Sequence, residues 1–331
     1  MINKDLHLVE DIFNTESLEK VPTRNGFGEG LLEAGRLDER VVALCADLSE
    51  STRMHHFQNE FPERYVEIGV AEQNLAVVAS GMANYGKIPF ISSYAAFSPG
   101  RNNEQIRTTI SLANLPVKIA GSHAGLSVGP DGATHQALED IGLMRMQPNM
   151  IVLAPSDALE AKKATLAAAQ IDSPVYIRLA RDKSPVYTTE KTPFEIGKAY
   201  VYYESEKPLV ALFACGALLH NTLLAAEILE EKGIGSIVVN VPTIKPLDTE
   251  TIEMVAEKVE GIVTVEEHQV AGGMGSAIAE HLVQIHPLPM RFIGIHDRFG
   301  QSGTTPELYE EYGLTPEDIS KAGESLAHEK V

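Results

Sequence analysis

The stretch Tyr65-Val66-Glu67-Ile68-Gly69-Val70-Ala71-Glu72-Gln73-Asn74-Leu75 joins a strand-like apolar approach to a helix across a single glycine. Leu75, Val78, Ala79 and Met82 recur at helical spacing, which predicts a helix from Glu72 to about Ala83. Glu72 stands in its first turn, where a carboxylate is favoured by the helix dipole. That position supports two readings: a solvated cap on a packed helix, or a carboxylate held for chemistry. The rest of the chain decides between them.

Upstream, a helical stretch from Gly28 to Leu37 leads into the strand Val41 to Cys45, and residues 1 to 20 read as a charged arm. The strand ends in Ala46-Asp47-Leu48-Ser49-Glu50-Ser51-Thr52, polar residues suited to a loop beyond a strand's carboxyl end, where parallel α/β sheets bind ligands. Downstream, strands at Ile88 to Ser92, Val117 to Ala120, Ile151 to Ala154 and Pro174 to Leu179 alternate with helical segments, including Asn103 to Ala113 and a helix whose Asp157 and Glu160 have capping-box spacing. Residues 21 to 183 thus form one α/β unit. The segment 184 to 198, rich in Pro, Ser and Thr, reads as a linker. A second unit, residues 199 to 331, alternates strands at Leu209 to Ala214, Ser236 to Val241, Gly261 to Val265 and Arg291 to Ile295 with helices near 217 to 231, 249 to 258 and 274 to 284. The fold class is therefore α/β, with two doubly wound, mainly parallel-sheet domains.

A net charge of −19 excludes nucleic acid and anionic membrane surfaces as partners, since both need an excess of Lys and Arg. No uncharged segment approaches the length needed to cross a bilayer, and Cys45 and Cys215 lie in apolar runs that read as buried thiols, so a cytoplasmic protein is expected. An anionic substrate would need a few cations gathered locally, and Arg24, His123 and Arg181 are candidates.

Tyr94 and Phe97, three apart after an apolar strand, read either as core or as aromatic faces for a planar ligand. The loop Gly121 to Gln136 is too long and glycine-rich for a plain connector; it carries His123, Asp131 and His135, residue types able to move protons, at a spacing that matches no metal signature. Gly272-Gly273-Met274-Gly275 reads as close helix packing, Asp248 as a helix N-cap, and Glu266-Glu267-His268 as a solvated loop at a strand end.

Asp47 with Ser51, the run Gly69 to Asn74, the loop Ser122-His123-Ala124-Gly125 through Gly129-Pro130-Asp131-Gly132-Ala133-Thr134-His135-Gln136, and Asp297-Arg298-Phe299-Gly300-Gln301-Ser302-Gly303 together resemble the C-terminal half of transketolase, in the right order over roughly residues 20 to 320. The diphosphate-binding domain with its Gly-Asp-Gly metal motif is missing, so the chain resembles one subunit of a split transketolase: a pyrimidine-binding domain and a Rossmann-like C-terminal domain. The resemblance implies thiamine diphosphate as a cofactor shared with an N-terminal partner subunit, Mg2+ or Ca2+ held by that partner, an α2β2 assembly, and transfer of a two-carbon ketol unit between sugar phosphates of the pentose phosphate pathway. It implies that Glu72 bonds the aminopyrimidine ring, which requires a buried carboxylate because a solvated one shares its proton with water. It assigns Tyr94, Phe97, Asp47 and Leu48 to the cofactor, His135 and Asp131 to the reacting end of the sugar, and Arg24, Ser51, His123 and Arg181 to its phosphate. Pro99-Gly100 departs from the family's commoner pattern, and Arg101 is given no role. A deoxyxylulose-phosphate synthase, the beta subunit of a 2-oxo acid dehydrogenase and a non-catalytic paralogue are the alternatives; His123 speaks against the first and the Gly-Pro-Asp-Gly-Ala-Thr-His-Gln run against the second.

Overall fold

The computed structural model describes residues 1–328; residues 329–331 of the expected second unit lie outside the described residues. Seven strands build the first sheet, in the order Thr243–Lys245, Ile151–Leu153, Val175–Arg178, Lys118–Ser122, Ile88–Tyr94, Val41–Cys45 and Tyr65–Glu67. Every neighbouring pair is parallel except the one made by Thr243–Lys245. Parallel strands need crossovers that cover both faces, which is why Val41–Cys45 is buried at every position.

The second sheet has the order Met290–Ile295, Gly261–Gln269, Pro208–Ala214, Gly235–Asn240 and Tyr200–Glu204, with only the last strand antiparallel. Two strands of these two sheets were not legible in the sequence. Tyr200–Glu204 closes one edge of this sheet, and Thr243–Lys245 leaves it to extend the first, so the two sheets are stitched by the chain itself. Residues 1–20 lie along the second sheet, where the Asn3 amide donates to Tyr202 O at 2.9 Å and Leu6 and Ile12 are buried. Lys20–Val21 pairs antiparallel with Ser184–Pro185, inside the segment read as a linker.

The helix Thr23–Leu37 begins five residues before its expected start, which puts Arg24 in its first turn. It packs on the helix Ala158–Ala169 through Gly26, where a Cβ would fall 1.7 Å from Ala158 O, so only glycine permits the approach. Asp157 Oδ1 accepts the Glu160 amide at 2.8 Å, but the Glu160 carboxylate turns back to the Ser156 amide at 2.6 Å rather than closing a box on Asp157. The helix expected over 103 to 113 is a single α-turn, Asn103–Gln105, that widens into a π-helix over Ile106–Ser111.

The helix after the glycine spans Glu72–Asn84 and buries Leu75, Ala76, Ala79 and Ala83 in the core between the sheets. Full burial of a leucine such as Leu75 contributes about 2 kcal/mol. Cys45 and Cys215 are both buried and unpaired. No helix among the described residues is long and apolar enough to cross a membrane.

Candidate active site

All the loops at issue leave the carboxyl edge of the first sheet, because its strands run parallel and end on one side. Asp47, Leu48 and Ser51 follow the strand Val41–Cys45; Glu72 follows Tyr65–Glu67; Phe97 follows Ile88–Tyr94; His123, Asp131 and His135 follow Lys118–Ser122; Arg181 follows Val175–Arg178. Arg24 joins them from the start of the first long helix.

Glu72 is 5% exposed, the buried carboxylate that the resemblance requires and not a solvated cap, while Gln73 and Asn74 beside it in the first turn are exposed. Asn102 Nδ2 donates to the Glu72 carbonyl at 2.9 Å and to Ser98 Oγ at 3.1 Å, holding the loop 98–102 down. Arg101 Nη1 donates to Glu72 Oε1 at 3.1 Å, and the guanidinium carbon lies 4.3 Å from the centroid of Phe97. Among the described residues Glu72 Oε2 takes no hydrogen bond, and Glu72 lines an open cleft of about 560 Å3 with Val70, Ala71, Gln73, Asn74 and Arg101.

From Phe97 a chain of contacts runs across the edge. Phe97 stacks with Tyr94 at 5.8 Å between centroids, and Tyr94 stacks with His123 at 3.8 Å. His135 meets both Tyr94 and Phe97 edge-on, at 6.0 and 5.3 Å. His123 Nε2 lies 3.1 Å from Arg24 Nη1, which also donates to Ser51 O at 2.9 Å. Ser51 therefore meets Arg24 through its backbone carbonyl. Arginine has no acceptor, so His123 Nε2 must accept, and its Nδ1–H donates to Ser122 Oγ at 2.8 Å. Burial, then Arg24, Arg181, Arg53 and His135, push the His123 pKa down to about 2, consistent with that neutral tautomer. Burial, then Arg53 and Arg181, also lower the Arg24 pKa. The buried Arg24 Nε has no hydrogen-bond partner among the described residues.

Arg181 Nη1 donates to Val128 O at 3.1 Å. Asp131 is exposed at the end of the 3-10 turn Leu126–Asp131, apart from the ring cluster. Asp47 is exposed with φ +58, its amide donating to Glu67 Oε1 at 2.8 Å, and the Leu48 side chain packs against the core that contains Phe57.

Three residues were not foreseen. Arg101 lies beyond a two-residue departure from the commoner pattern, and nothing local ties it to a carboxylate 29 positions earlier. Arg53, φ +67, is tied by Nε to Asn25 Oδ1 at 2.8 Å beside Arg24; its position two residues after Ser51, in a loop already marked as functional, was the available signal. Glu267 belongs to Glu266-Glu267-His268, which is no solvated loop: the strand Gly261–Gln269 continues through all three, at 1%, 3% and 0% exposure. Their polar groups are satisfied inside, Glu266 by the amides of Met274 and Gly275 at 2.7 and 2.9 Å.

The fold and this edge define a two-sheet α/β protein whose first sheet has a margin that is cationic at one end and carries a buried carboxylate at the other. The family models for the transketolase pyrimidine-binding domain and the transketolase C-terminal domain match residues 19–186 and 199–319. A chain of Methanocaldococcus jannaschii named as a transketolase C-terminal section is 43% identical over 302 residues, covering 90% of this chain and 94% of that one. A 6-deoxy-6-sulfo-D-fructose transketolase subunit of a Clostridium strain is 39% identical, covering 95% and 97%. A solved split-gene transketolase, described as an inactive beta4 tetramer, superposes with a TM-score of 0.85 at 42% identity over 93% of this chain and 98% of that one. The chain belongs to the transketolase family.

Proposed function

We propose that this chain is the C-terminal subunit of a two-chain, thiamine diphosphate-dependent transketolase, which moves a two-carbon ketol unit from a ketose phosphate to an aldose phosphate. The single observation that carries the reading is the Glu72 carboxylate, buried at the margin of an open cleft and paired through one oxygen with Arg101, whose guanidinium lies against the Phe97 ring. That set fits the aminopyrimidine of the cofactor: a fixed anionic acceptor for a ring N–H, with an aromatic wall near it. Bound thiamine diphosphate supplies a nucleophilic carbon able to cleave the bond beside a ketose carbonyl.

This chain's residues then divide the work. Glu72 holds a proton-bearing ring nitrogen through the free Oε2, and Arg101 fixes the carboxylate's direction. Phe97, backed by Tyr94, bounds the ring, and Asp47 and Leu48 lie on the neighbouring loop. His135 and Asp131 attend the hydroxyl and carbonyl end of the sugar. Arg24 and Arg181, with His123 and Ser51, receive the phosphate, and the charge the two guanidiniums gather locally opposes the unfavourable global field. The diphosphate and its Mg2+ or Ca2+ fall to an N-terminal partner subunit, in an α2β2 assembly.

The test is reconstitution with a chain carrying the diphosphate-binding domain. Ketol transfer is expected only from the pair, and Glu72→Gln should remove most turnover with the fold intact. Strong activity of the isolated chain, or near-normal rates for Glu72→Gln, would overturn the reading.

A further inference from the structure

Glu267 belongs to the second sheet, yet its carboxylate ends in the glycine-rich loop of the first. It is 3% exposed. One oxygen accepts the backbone N–H of Ser127, and the other accepts the Ser127 hydroxyl at 3.3 Å. The loop comes so close that a Cβ on Gly125, where φ is +85, would fall 2.5 Å from the Glu267 carboxyl carbon; both the backbone conformation and the contact require glycine there. Burial raises the Glu267 pKa above the ordinary carboxylate range, and the Arg178 guanidinium opposes that rise. Arg178 Nη2 also donates to the Glu267 carbonyl at 2.7 Å while its Nε pairs with Asp140 at 2.9 Å, so Glu267 is gripped at backbone and side chain from the first domain.

What hangs on Ser127 is the substrate end of the site. The next carbonyl, Val128 O, is the one that orients Arg181. Asp131 closes the same 3-10 turn, and the His135 amide donates to Gly132 O at 3.0 Å just beyond it. The rest of the loop is seated on the second domain too: Gln136 Nε2 donates to Leu126 O at 3.2 Å and to Gln301 O at 3.0 Å, and Leu126 and Leu138 pack in that domain's core with Val265 and Leu308.

We propose that Glu267 is a positioning residue of the second domain, which, by holding Ser127 through two hydrogen bonds, sets the placement of Arg181, Asp131 and His135 on the first. The inference rests on the function proposed above for those three residues. It gives the second domain a part in the chemistry beyond assembly. A fixed loop is what a reaction between two sugars demands, because reacting groups misplaced by about 1 Å can lose on the order of a hundredfold in rate.

The test compares Glu267→Ala, Glu267→Asp and Glu267→Gln in the full chain. Hydrogen–deuterium exchange of the chain alone should quicken at least tenfold over residues 126–136 in Glu267→Ala, with Val41–Cys45 and Lys118–Ser122 as protected as before. In the complex with the partner subunit, kcat of Glu267→Ala should fall on the order of 10- to 100-fold and KM for phosphorylated ketoses should rise, while half-saturation by thiamine diphosphate moves less than threefold. Glu267→Gln keeps an acceptor for the Ser127 amide and offers a donor to its hydroxyl, so it should recover most of both losses. If Glu267→Ala does not fold, Glu267→Asp, whose carboxylate is drawn back by one methylene, carries the same comparison. Unchanged loop exchange, or loosening spread equally over both sheets in every variant, overturns the proposal. If the wild-type pair shows no ketol transfer, the functional reading fails by itself, and loop exchange still decides the role of Glu267.

Discussion

Arg101 reaches back 29 residues to place Nη1 3.1 Å from Glu72 Oε1 while its guanidinium carbon stays 4.3 Å from the Phe97 ring centroid. One flat cation thus joins the buried carboxylate to the aromatic wall. Its side chain is 53% exposed and that of Glu72 is 6% exposed, so the pair is asymmetric: the anion needs the cation more than the reverse.

Removing that cation leaves the carboxylate buried with neither oxygen paired by a described residue. Arg101→Ala should weaken thiamine diphosphate half-saturation in the reconstituted pair by tenfold or more. Arg101→Lys should recover less than half of the loss, because an ammonium lacks the plane that packs on a ring. Titration of both variants checks this, and unchanged affinity in Arg101→Ala removes Arg101 from the site.

The anion clamp makes a prediction about substrates rather than cofactor. A hydrogen bond to a charged group contributes about 1.5–3 kcal/mol, so Arg24→Ala or Arg181→Ala should raise KM for phosphorylated sugars roughly 10- to 150-fold. Unphosphorylated ketoses, which offer the clamp nothing, should change less than threefold. Steady-state kinetics with matched donors decides it; equal effects on both classes would refute the clamp.

His123 predicts a pH dependence with a definite sign. Its pKa in the folded chain is depressed to about 2, against an ordinary value near 6.5. As pH falls through 6.5 the unfolded chain takes up a proton that the folded chain refuses, so this group's contribution is present above 6.5 and is lost on acidification. The slope approaches about 1.4 kcal/mol per pH unit for one proton. His123→Gln can still accept from Arg24 but cannot titrate, so its Tm should fall less between pH 7 and pH 5 than that of the wild type. Parallel Tm profiles would place a proton on His123 in the folded state.

Much of this site was legible because its parts are local. Gly69 before Glu72, the aromatic pair three apart, and the length of the 121–136 loop each mark a position beyond a strand end, and α/β alternation brings those ends to one edge. The resemblance to transketolase rests on those same runs. What escaped was how buried carboxylates find their partners in distant segments. Glu266-Glu267-His268 is as polar as any surface turn, and only the amides of Met274, Gly275 and Ser127 arriving from elsewhere allow it to be buried.

By itself the sequence determined the elements, their parallel arrangement and the edge where chemistry would gather, because backbone period, turn residues and strand direction are set by near neighbours. Tertiary structure alone decided that Thr243–Lys245 crosses into the first sheet, that Glu72 is paired with Arg101, and that Glu267 reaches the glycine-rich loop of the first domain. Burial of a charge depends on which donors the fold brings to it, and those donors lie 29 residues from Glu72 and 140 from Glu267.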